Sequence, residues 1–177
     1  MLGKTHLAIG LAASSSVVSA GIVPPAWAVP LVASAALGAL LPDIDESNSL
    51  IGRKLKVLSY PIKWIFGHRG ITHSLVALAA VTALPFLALG VGLPAGPISG
   101  SASGGPADLA SALALGLFIG YGSHIAADAV TPMGVPLLYP SDAKIRLGLV
   151  RTGSEMDQFI GFAMGGLFVF QLISGLL

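Results

Sequence analysis

The sequence predicts an all-α integral membrane protein: a helical bundle of about five transmembrane helices with a short interfacial amphipathic segment. Of its 177 residues, 54% are hydrophobic and only 10% are charged. Soluble domains average about 25% charged residues, so this composition is typical of a membrane protein. The length fits a single membrane-embedded domain that covers residues 1–177.

Turn and cap residues separate the apolar stretches. Pro24 and Pro25 turn the first stretch into the second, which is short, contains Pro30 and is therefore expected to be tilted or partly buried. The Gly/Ser/Pro-rich run 92–106 joins the third stretch to the fourth, which Asp108 is placed to cap. Since a span takes about 20 residues, the predicted spans cover about 7–23, 26–41, 71–91, 109–128 and 157–177.

The distribution of positive charge predicts how these spans are oriented. If the five spans alternate, the N-terminus, the 42–70 segment and the 129–156 segment lie on the same side of the membrane. All lysines and arginines then fall on that side, which the positive-inside rule makes cytoplasmic. They are Lys4, Arg53, Lys54, Lys56, Lys63, Arg69, Lys144, Arg146 and Arg151.

The basic segment 50–66 (LIGRKLKVLSYPIKWIF) mixes cations with large apolar side chains. This pattern predicts one or two short interfacial helices, broken near Pro61, on the anionic leaflet. One interpretation is a positive-inside anchor. The other is a surface that draws anionic lipid head groups toward a functional site.

Histidines and carboxylates collect at span ends on the same predicted side. Imidazoles and carboxylates are ligands that zinc and similar divalent ions take, so their convergence would form a candidate metal site. Only Asp108, among all acids and histidines, falls on the other side. The groups on the shared side include His6, Asp43, Asp45, His68, His73, His124, Asp128, Glu155 and Asp157.

His124 and Asp128 lie four residues apart at the end of the fourth predicted span. They therefore share one helix face, about 6 Å apart along the axis. One helix can supply two metal ligands in this way, or one ligand and the carboxylate that orients it. The alternative is a buried hydrogen bond that only ties helices together.

Two loop motifs add further candidates. Asp43 and Asp45 can both reach an ion if the backbone between them is extended or turning; otherwise they form a solvated loop or a helix cap. His68 and His73 flank a turn at the entrance to the third span, and Arg69 between them could hold a phosphate in a bidentate fork. Thr72 or Ser74 could instead cap the following helix.

The chain ends offer weaker candidates. His6 could be an ordinary interfacial residue, and Lys4 with the apolar run up to Ala20 also imitates a cleavable signal peptide, although we favour a retained first span. Glu155 and Asp157 follow Ser154 in an approximate capping box, which favours a structural role. One of them could still serve as a spare ligand or base.

The ordered motifs resemble those of the YdjM-like family, bacterial and archaeal proteins described as membrane-bound, metal-dependent hydrolases. The similarity rests on segments 42–45 (PDID), 68–74 (HRGITHS) and 124–134 (HIAADAVTPMG), with His6 as an early histidine. It implies phospholipase-like chemistry in the inner membrane of a prokaryote. It also implies a metal site carried by His6, Asp43, Asp45, His68, His73, His124 and Asp128.

The favoured function is therefore metal-assisted hydrolysis of a phospholipid or related phosphoester at the cytoplasmic leaflet. One or two divalent ions, most favourably Zn²⁺ with Mn²⁺ or Mg²⁺ as alternatives, would activate water. Asp45 or Asp128 is the expected base, and Arg69, helped by Arg151, is expected to neutralise the phosphoester.

Several other classes are disfavoured or left as alternatives. The chain has no cysteine, which excludes thiolate ligands and a cysteine nucleophile. It has no Gly-x-Ser-x-Gly elbow, which argues against a serine hydrolase, and nothing indicates nucleic-acid binding. A membrane transport or metal-handling protein could use the same ligands without hydrolysis. A structural membrane module could pair these polar groups only with one another.

Overall fold

The computed structural model describes residues 1–66, 70–93, 98, 105–141 and 143–176. These residues form helices and turns with no β-strand, apart from an isolated bridge between Val135 and Ile145, which confirms the all-α prediction. The helices are α1 (Gly3–Ser19), α2 (Ala28–Gly38), α3 (Lys56–Phe66), α4 (Leu75–Leu89), α5 (Pro106–Ala129) and α6 (Glu155–Leu176). Short 3₁₀ turns cover Pro25–Trp27, Leu41–Asp45 and Ile71–His73.

The expected count of about five membrane spans is not confirmed. Within the described part of the chain, three stretches are long and apolar enough to cross a membrane: Pro25–Asp45, Pro106–Ala129 and Glu155–Gly175. The short second stretch gains its length from the 3₁₀ turns at both ends of α2. By contrast, α1 has 17 residues, and α4 has 15 because Gly90 ends it in a left-handed conformation.

Helix α5 is the central helix and packs against α1, α2 and α4. Its closest approach is to α2, where a Cβ atom on Gly116 or Gly120 would overlap the backbone carbonyl of Leu31 or Ala35. Small residues allow membrane helices to approach in this way. Gly116 and Gly120 continue in steps of four to His124 and Asp128, so the tightly packed face of α5 carries both candidate ligands at its end.

Polar contacts fasten α1 to α6 at both ends. The Gln171 side chain donates to Ser16 Oγ at 2.7 Å and accepts from the Ser15 hydroxyl. At the other end, Asp157 Oδ2 accepts from the backbone N–H of Leu2 at 3.0 Å and of Gly153 at 2.7 Å. These contacts hold the first turn of α1, which contains His6.

The structure tests three local predictions about helix caps and breaks. Ser154 Oγ accepts from the Asp157 N–H at 3.3 Å, which fits a capping role for this pair. The predicted break near Pro61 is absent, because α3 continues through that residue. Asp108 lies in the first turn of α5 and does not cap it; Gly105 occupies the capping position.

Candidate metal centre

Six of the seven predicted ligand residues meet at one end of the bundle, because four separate elements end or begin there. Two lie in the last turns of α5, one in the first turn of α1, two in the 3₁₀ turn after α2, and one just before α4. They are His124, Asp128, His6, Asp43, Asp45 and His73. His68 and Arg69 lie outside the described residues, so their predicted roles stay predictions.

Asp128 is the hub of the cluster. Its Oδ1 lies 3.2 Å from His6 Nε2, and its Oδ2 lies 3.6 Å from His73 Nε2 and 3.7 Å from His124 Nε2. The amino group of Met1 also contacts Oδ1. Asp128 is fully buried. A buried carboxylate is costly unless it is paired or binds a cation, and here it faces three imidazoles from three elements.

The hydrogen bonding of His124 defines which of its ring nitrogens is free to act as a ligand. His124 Nδ1 lies 2.7 Å from the carbonyl oxygen of Ala39 in α2. A carbonyl only accepts, so Nδ1 carries a proton, and whenever the ring is neutral Nε2 presents a lone pair. This is the tautomer that a metal-binding histidine needs, with the second nitrogen held by a backbone carbonyl.

The surroundings of that lone pair favour a cation. His124 Nε2 lies 3.7 Å from Asp43 Oδ1 and 3.7 Å from Asp128 Oδ2, both of which are acceptors. These distances are too long for a hydrogen bond, and among the described residues Nε2 has no hydrogen-bond partner. A lone pair buried between two carboxylates is stabilised when a positive ion lies among them.

The spacing of the donor atoms also fits a metal ion. Two ligands about 2.1 Å from one zinc ion lie about 3.4 Å apart in tetrahedral geometry. Distances from 3.2 to 3.7 Å separate the facing nitrogen and oxygen atoms of the cluster. Ligand atoms of His6, His124 and Asp128 all lie within 4.8 Å of one another, and so do those of Asp43, His73 and His124.

His6 completes one side of the cluster. Its ring stacks on that of His124, with centroids 3.7 Å apart and an angle of 13° between the planes. His6 Nε2 faces Asp128, whereas Nδ1 has no hydrogen-bond partner within the described part of the chain. Both rings turn Nε2 toward the carboxylate of Asp128: His6 faces Oδ1 and His124 faces Oδ2.

Asp45 faces Nδ1 of His73, whereas Asp128 faces Nε2 of the same ring. The Thr72 hydroxyl donates to Asp45 Oδ2 at 2.5 Å, and His73 Nδ1 lies 3.1 Å from Thr72 Oγ1 and 3.4 Å from Asp45 Oδ2. His73 Nε2 points the other way, toward Asp128. Asp45 is therefore arranged as the carboxylate that orients a metal-binding imidazole, with Thr72 as its partner.

The carboxylates also affect the charge of His73, which lies before α4 and outside the three membrane spans. Burial disfavours the charged ring, but the hydrogen bonds and negative charges of Asp128 and Asp45 outweigh that effect. As a result the pKa of His73 lies above its usual value of 6.5. A metal ion must displace this proton in order to bind.

Asp43 is the point at which the cluster opens to water. Its side chain is 17% exposed, whereas the side chains of the other five residues are at most 1% exposed. A water molecule would therefore reach the cluster past Asp43.

Sequence reasoning missed three supporting groups. Thr72 was considered only as a helix cap, a role that Ser74 fills by accepting from the Ala77 N–H at 3.3 Å. Tyr121 donates its hydroxyl to the Thr72 carbonyl oxygen, and the Ala39 carbonyl orients His124. The only local signal was Tyr121 itself, which lies one helical turn before His124 on the same face of α5.

Apolar helices that are long enough to cross a bilayer, with a buried His/Asp cluster at one end of their bundle, define an integral membrane protein with a candidate metal centre. The chain belongs to the YdjM family, because the family model described as "YdjM inner membrane protein" matches residues 1–175. The resemblance seen in the three motifs is thereby confirmed.

Relatives in two bacterial groups support this membership. The "Inner membrane protein YdjM" of Escherichia coli (strain K12) is 36% identical over 173 residues, which cover 93% of this chain and 79% of that protein. The "Uncharacterized protein YvsG" of Bacillus subtilis (strain 168) is 34% identical over 176 residues, covering 98% and 96%. No solved structure matches the chain significantly.

Proposed function

We propose that this protein is a membrane-bound, metal-dependent hydrolase that acts on a phospholipid or related phosphoester at the cytoplasmic leaflet. The observation that carries the proposal is the lone pair of His124 Nε2, which is buried between Asp43 and Asp128. Acceptors that face one another in this way are typical of a site built around a cation.

Five side chains would hold the metal: His6, Asp43, His73, His124 and Asp128, with Asp128 as the ligand that all three imidazoles face. Its Oδ1 faces His6, whereas its Oδ2 faces His73 and His124, next to Asp43. Nitrogen and oxygen donors without thiolates suit Zn²⁺, with Mn²⁺ and Mg²⁺ as alternatives. One ion bound by a subset of these ligands is compatible with the same geometry.

When bound, the ion supplies Lewis acidity that activates water and polarises the phosphoester. Of the carboxylates in the cluster, Asp43 is the one open to solvent, so we assign it the task of accepting the proton from water. Asp45 and Asp128, the bases expected from sequence, have better-supported roles: Asp45 would orient His73, and Asp128 would be a metal ligand. Overall, water adds to phosphorus, the bond from phosphorus to the ester oxygen breaks, and the departing alcohol takes the proton.

Two arginines are the proposed groups that neutralise the phosphoester. Arg69 remains the proposed phosphate ligand on sequence grounds, since it lies between two candidate histidines. Arg151 precedes α6 and is exposed. Both belong to the side on which all lysines and arginines are predicted to lie, which supports a cytoplasmic site.

The test combines metal content with hydrolysis. We expect the purified protein to hold stoichiometric divalent metal and to release phosphate or a phosphorylated head group from vesicles that contain anionic phospholipid. Replacement His124→Ala should remove both the metal and the activity. The matched control is Glu155→Gln, because Glu155 is an exposed carboxylate at the start of α6, outside both groups of candidate ligands.

Two outcomes would contradict the proposal in different ways. Full metal content in the His124→Ala protein would mean that the cluster is not the metal site. A metal-loaded wild-type protein that cleaves no phosphoester but moves divalent ions across vesicles would instead indicate the transport alternative.

A further inference from the structure

An apolar groove runs along one flank of α4 and ends at Ile44 and Thr72, which are chain neighbours of residues in the candidate metal centre. It encloses about 310 Å³ and lies between α4, α5 and the 3₁₀ turn after α2. Leu41 and Ile44 form one wall, and Val76, Ala80 and Val81 of α4 form the other. No charged side chain lines it.

The groove meets the metal centre through two residues. Ile44 lies between Asp43 and Asp45 in the chain, so it belongs to the same 3₁₀ turn as both carboxylates. Thr72 also lines the groove, and its hydroxyl contacts Asp45 and His73. Tyr121 contributes its ring, whereas its hydroxyl is engaged by the Thr72 carbonyl. Polar chemistry is therefore confined to one end of the groove.

The opposite side of the groove is open to the bilayer. Val76 is 55% exposed, Ala80 is exposed, and the whole of α4 is apolar. Since α4 packs against α5, a helix long and apolar enough to cross a membrane, we place these exposed apolar side chains against lipid. From Val76 to Val81 the helix rises about 7.5 Å, which is enough for the first part of an acyl chain but not for all of it.

We propose that this groove binds the head-proximal part of the acyl chain of a membrane lipid whose phosphoester lies at the metal centre. The lipid enters sideways from the bilayer along α4, and Ile44, which adjoins the water-exposed Asp43 in the chain, marks the boundary between its apolar and polar parts. This inference rests on the proposed hydrolase function for the identity of the polar end. The expectation that the ligand carries a hydrocarbon chain rests on the apolar lining of the groove alone.

The chain offers a matched pair of variants for the test. Ala80 lines this groove, whereas the neighbouring Ala79 lines a separate apolar groove of about 350 Å³ on the other flank of α4. Both alanines are exposed. Replacement of either by Phe adds the same bulk to the same helix, so only Ala80→Phe should obstruct the proposed subsite.

The measurement is binding of hexadecylphosphonate and of methylphosphonate to the zinc-loaded protein in lipid nanodiscs. We expect Ala80→Phe to weaken hexadecylphosphonate binding at least tenfold and to leave methylphosphonate binding unchanged. Ala79→Phe should bind both compounds like the wild type. Ala80→Leu is a smaller change and should cause an intermediate loss of hexadecylphosphonate binding. It takes the place of Ala80→Phe in the test if the Phe variant does not retain its metal.

Each outcome either supports the proposed acyl-chain subsite or overturns it. The inference is overturned if the wild type binds no hexadecylphosphonate, if both Phe variants lose binding equally, or if filling the groove has no effect. Hydrolysis of p-nitrophenyl phosphate separates this result from the proposed function. If the wild type hydrolyses that compound but Ala80→Phe keeps full hexadecylphosphonate binding, the groove fails and the hydrolase stands. If the phosphonate binds in the groove but nothing is hydrolysed, the groove stands and the hydrolase fails.

Discussion

Individual residues divide into those that face the candidate ion and those that hold them in place. His73 illustrates the division, because its Nε2 faces Asp128 whereas its Nδ1 faces Asp45 and Thr72. Outer partners of this kind fix the tautomer and orientation of a ligand imidazole, and their loss typically lowers metal affinity by about 10–100-fold. The same division applies to His124, whose Nδ1 is held by the Ala39 carbonyl.

Thr72→Val should therefore weaken metal binding without abolishing it. Removal of the hydroxyl takes away the hydrogen bond to Asp45 and leaves a side chain of the same shape. We expect about a 10–100-fold loss of zinc affinity, measured by competition with a chromophoric chelator, with full stoichiometry at saturating zinc. Asp128→Asn should lose the stoichiometry itself. If Thr72→Val binds as tightly as the wild type, Asp45 needs no support from Thr72.

The raised pKa of His73 predicts a pH dependence of metal binding. Against the effect of burial, Asp128 and Asp45 stabilise the protonated ring, so the proton persists to a pH above 6.5. Zinc has to displace it, and zinc affinity should therefore begin to fall at a higher pH than an ordinary histidine would require. Titrations between about pH 6 and 8.5 measure this onset around the usual histidine pKa.

Asp45→Asn provides the check on that assignment. It removes one of the two negative charges that raise the pKa of His73, so the onset should move to lower pH. An unchanged onset would mean that another group limits metal binding. In the metal-free protein the same shift has the opposite consequence: stability from protonated His73 is present at low pH and is lost as pH rises through the raised pKa.

At the scale of helices, close packing between α2 and α5 positions the ligands on α5. Gly120 lies one turn before His124, against the backbone of Ala35, and Ala39 lies one turn after Ala35. The separation of the two helices therefore decides whether the Ala39 carbonyl can reach His124 Nδ1. Packing and ligand orientation are consequences of the same interface.

Gly120→Ala should destabilise the protein and weaken its metal binding together. The added methyl group would overlap the Ala35 carbonyl oxygen and force α2 and α5 apart, at a cost of about 1–3 kcal/mol. Gly122→Ala is the matched control, because a Cβ atom there meets nothing within 4 Å. It should be neutral or slightly stabilising, by up to about 1 kcal/mol. Thermal unfolding with and without zinc measures both effects, and equal behaviour of the two variants would contradict the packing argument.

At the scale of the whole molecule, the orientation in the membrane is the expectation with the broadest consequences. The absence of cysteine makes it directly testable by single-cysteine labelling. Lys54→Cys and Ile22→Cys introduce thiols at exposed positions toward opposite ends of the bundle. In intact spheroplasts, a membrane-impermeant maleimide should label Ile22→Cys and leave Lys54→Cys unlabelled until the membrane is permeabilised. The reverse pattern would place the candidate centre outside the cytoplasm.

The sequence predicts the fold class and the end of the bundle at which the ligands gather. It does not predict the number of membrane spans or the continuity of α3 at Pro61. The apolar stretches and their turn residues predict the all-α class, and one-sided polar groups predict that ligands gather at one end. The number of spans does not follow, because the lengths of α1 and α4 depend on Gly21 and Gly90, whose left-handed conformations end the two helices. Pro61 misleads for a similar reason, since the loss of one helical hydrogen bond does not stop α3.

The sequence by itself determined the class of the protein and the chemical types available to its site, because hydropathy and charge act along the chain and need no partner. Tertiary structure decided which of those groups face one another. Asp45 and Asp43 are two residues apart, yet one supports His73 and the other lies open to water beside His124. The tautomer of His124 is set by a carbonyl 85 residues away, and the hub position of Asp128 requires α1, α5 and the 3₁₀ turn before α4 together. These roles depend on directions of atoms that only the packed helices define.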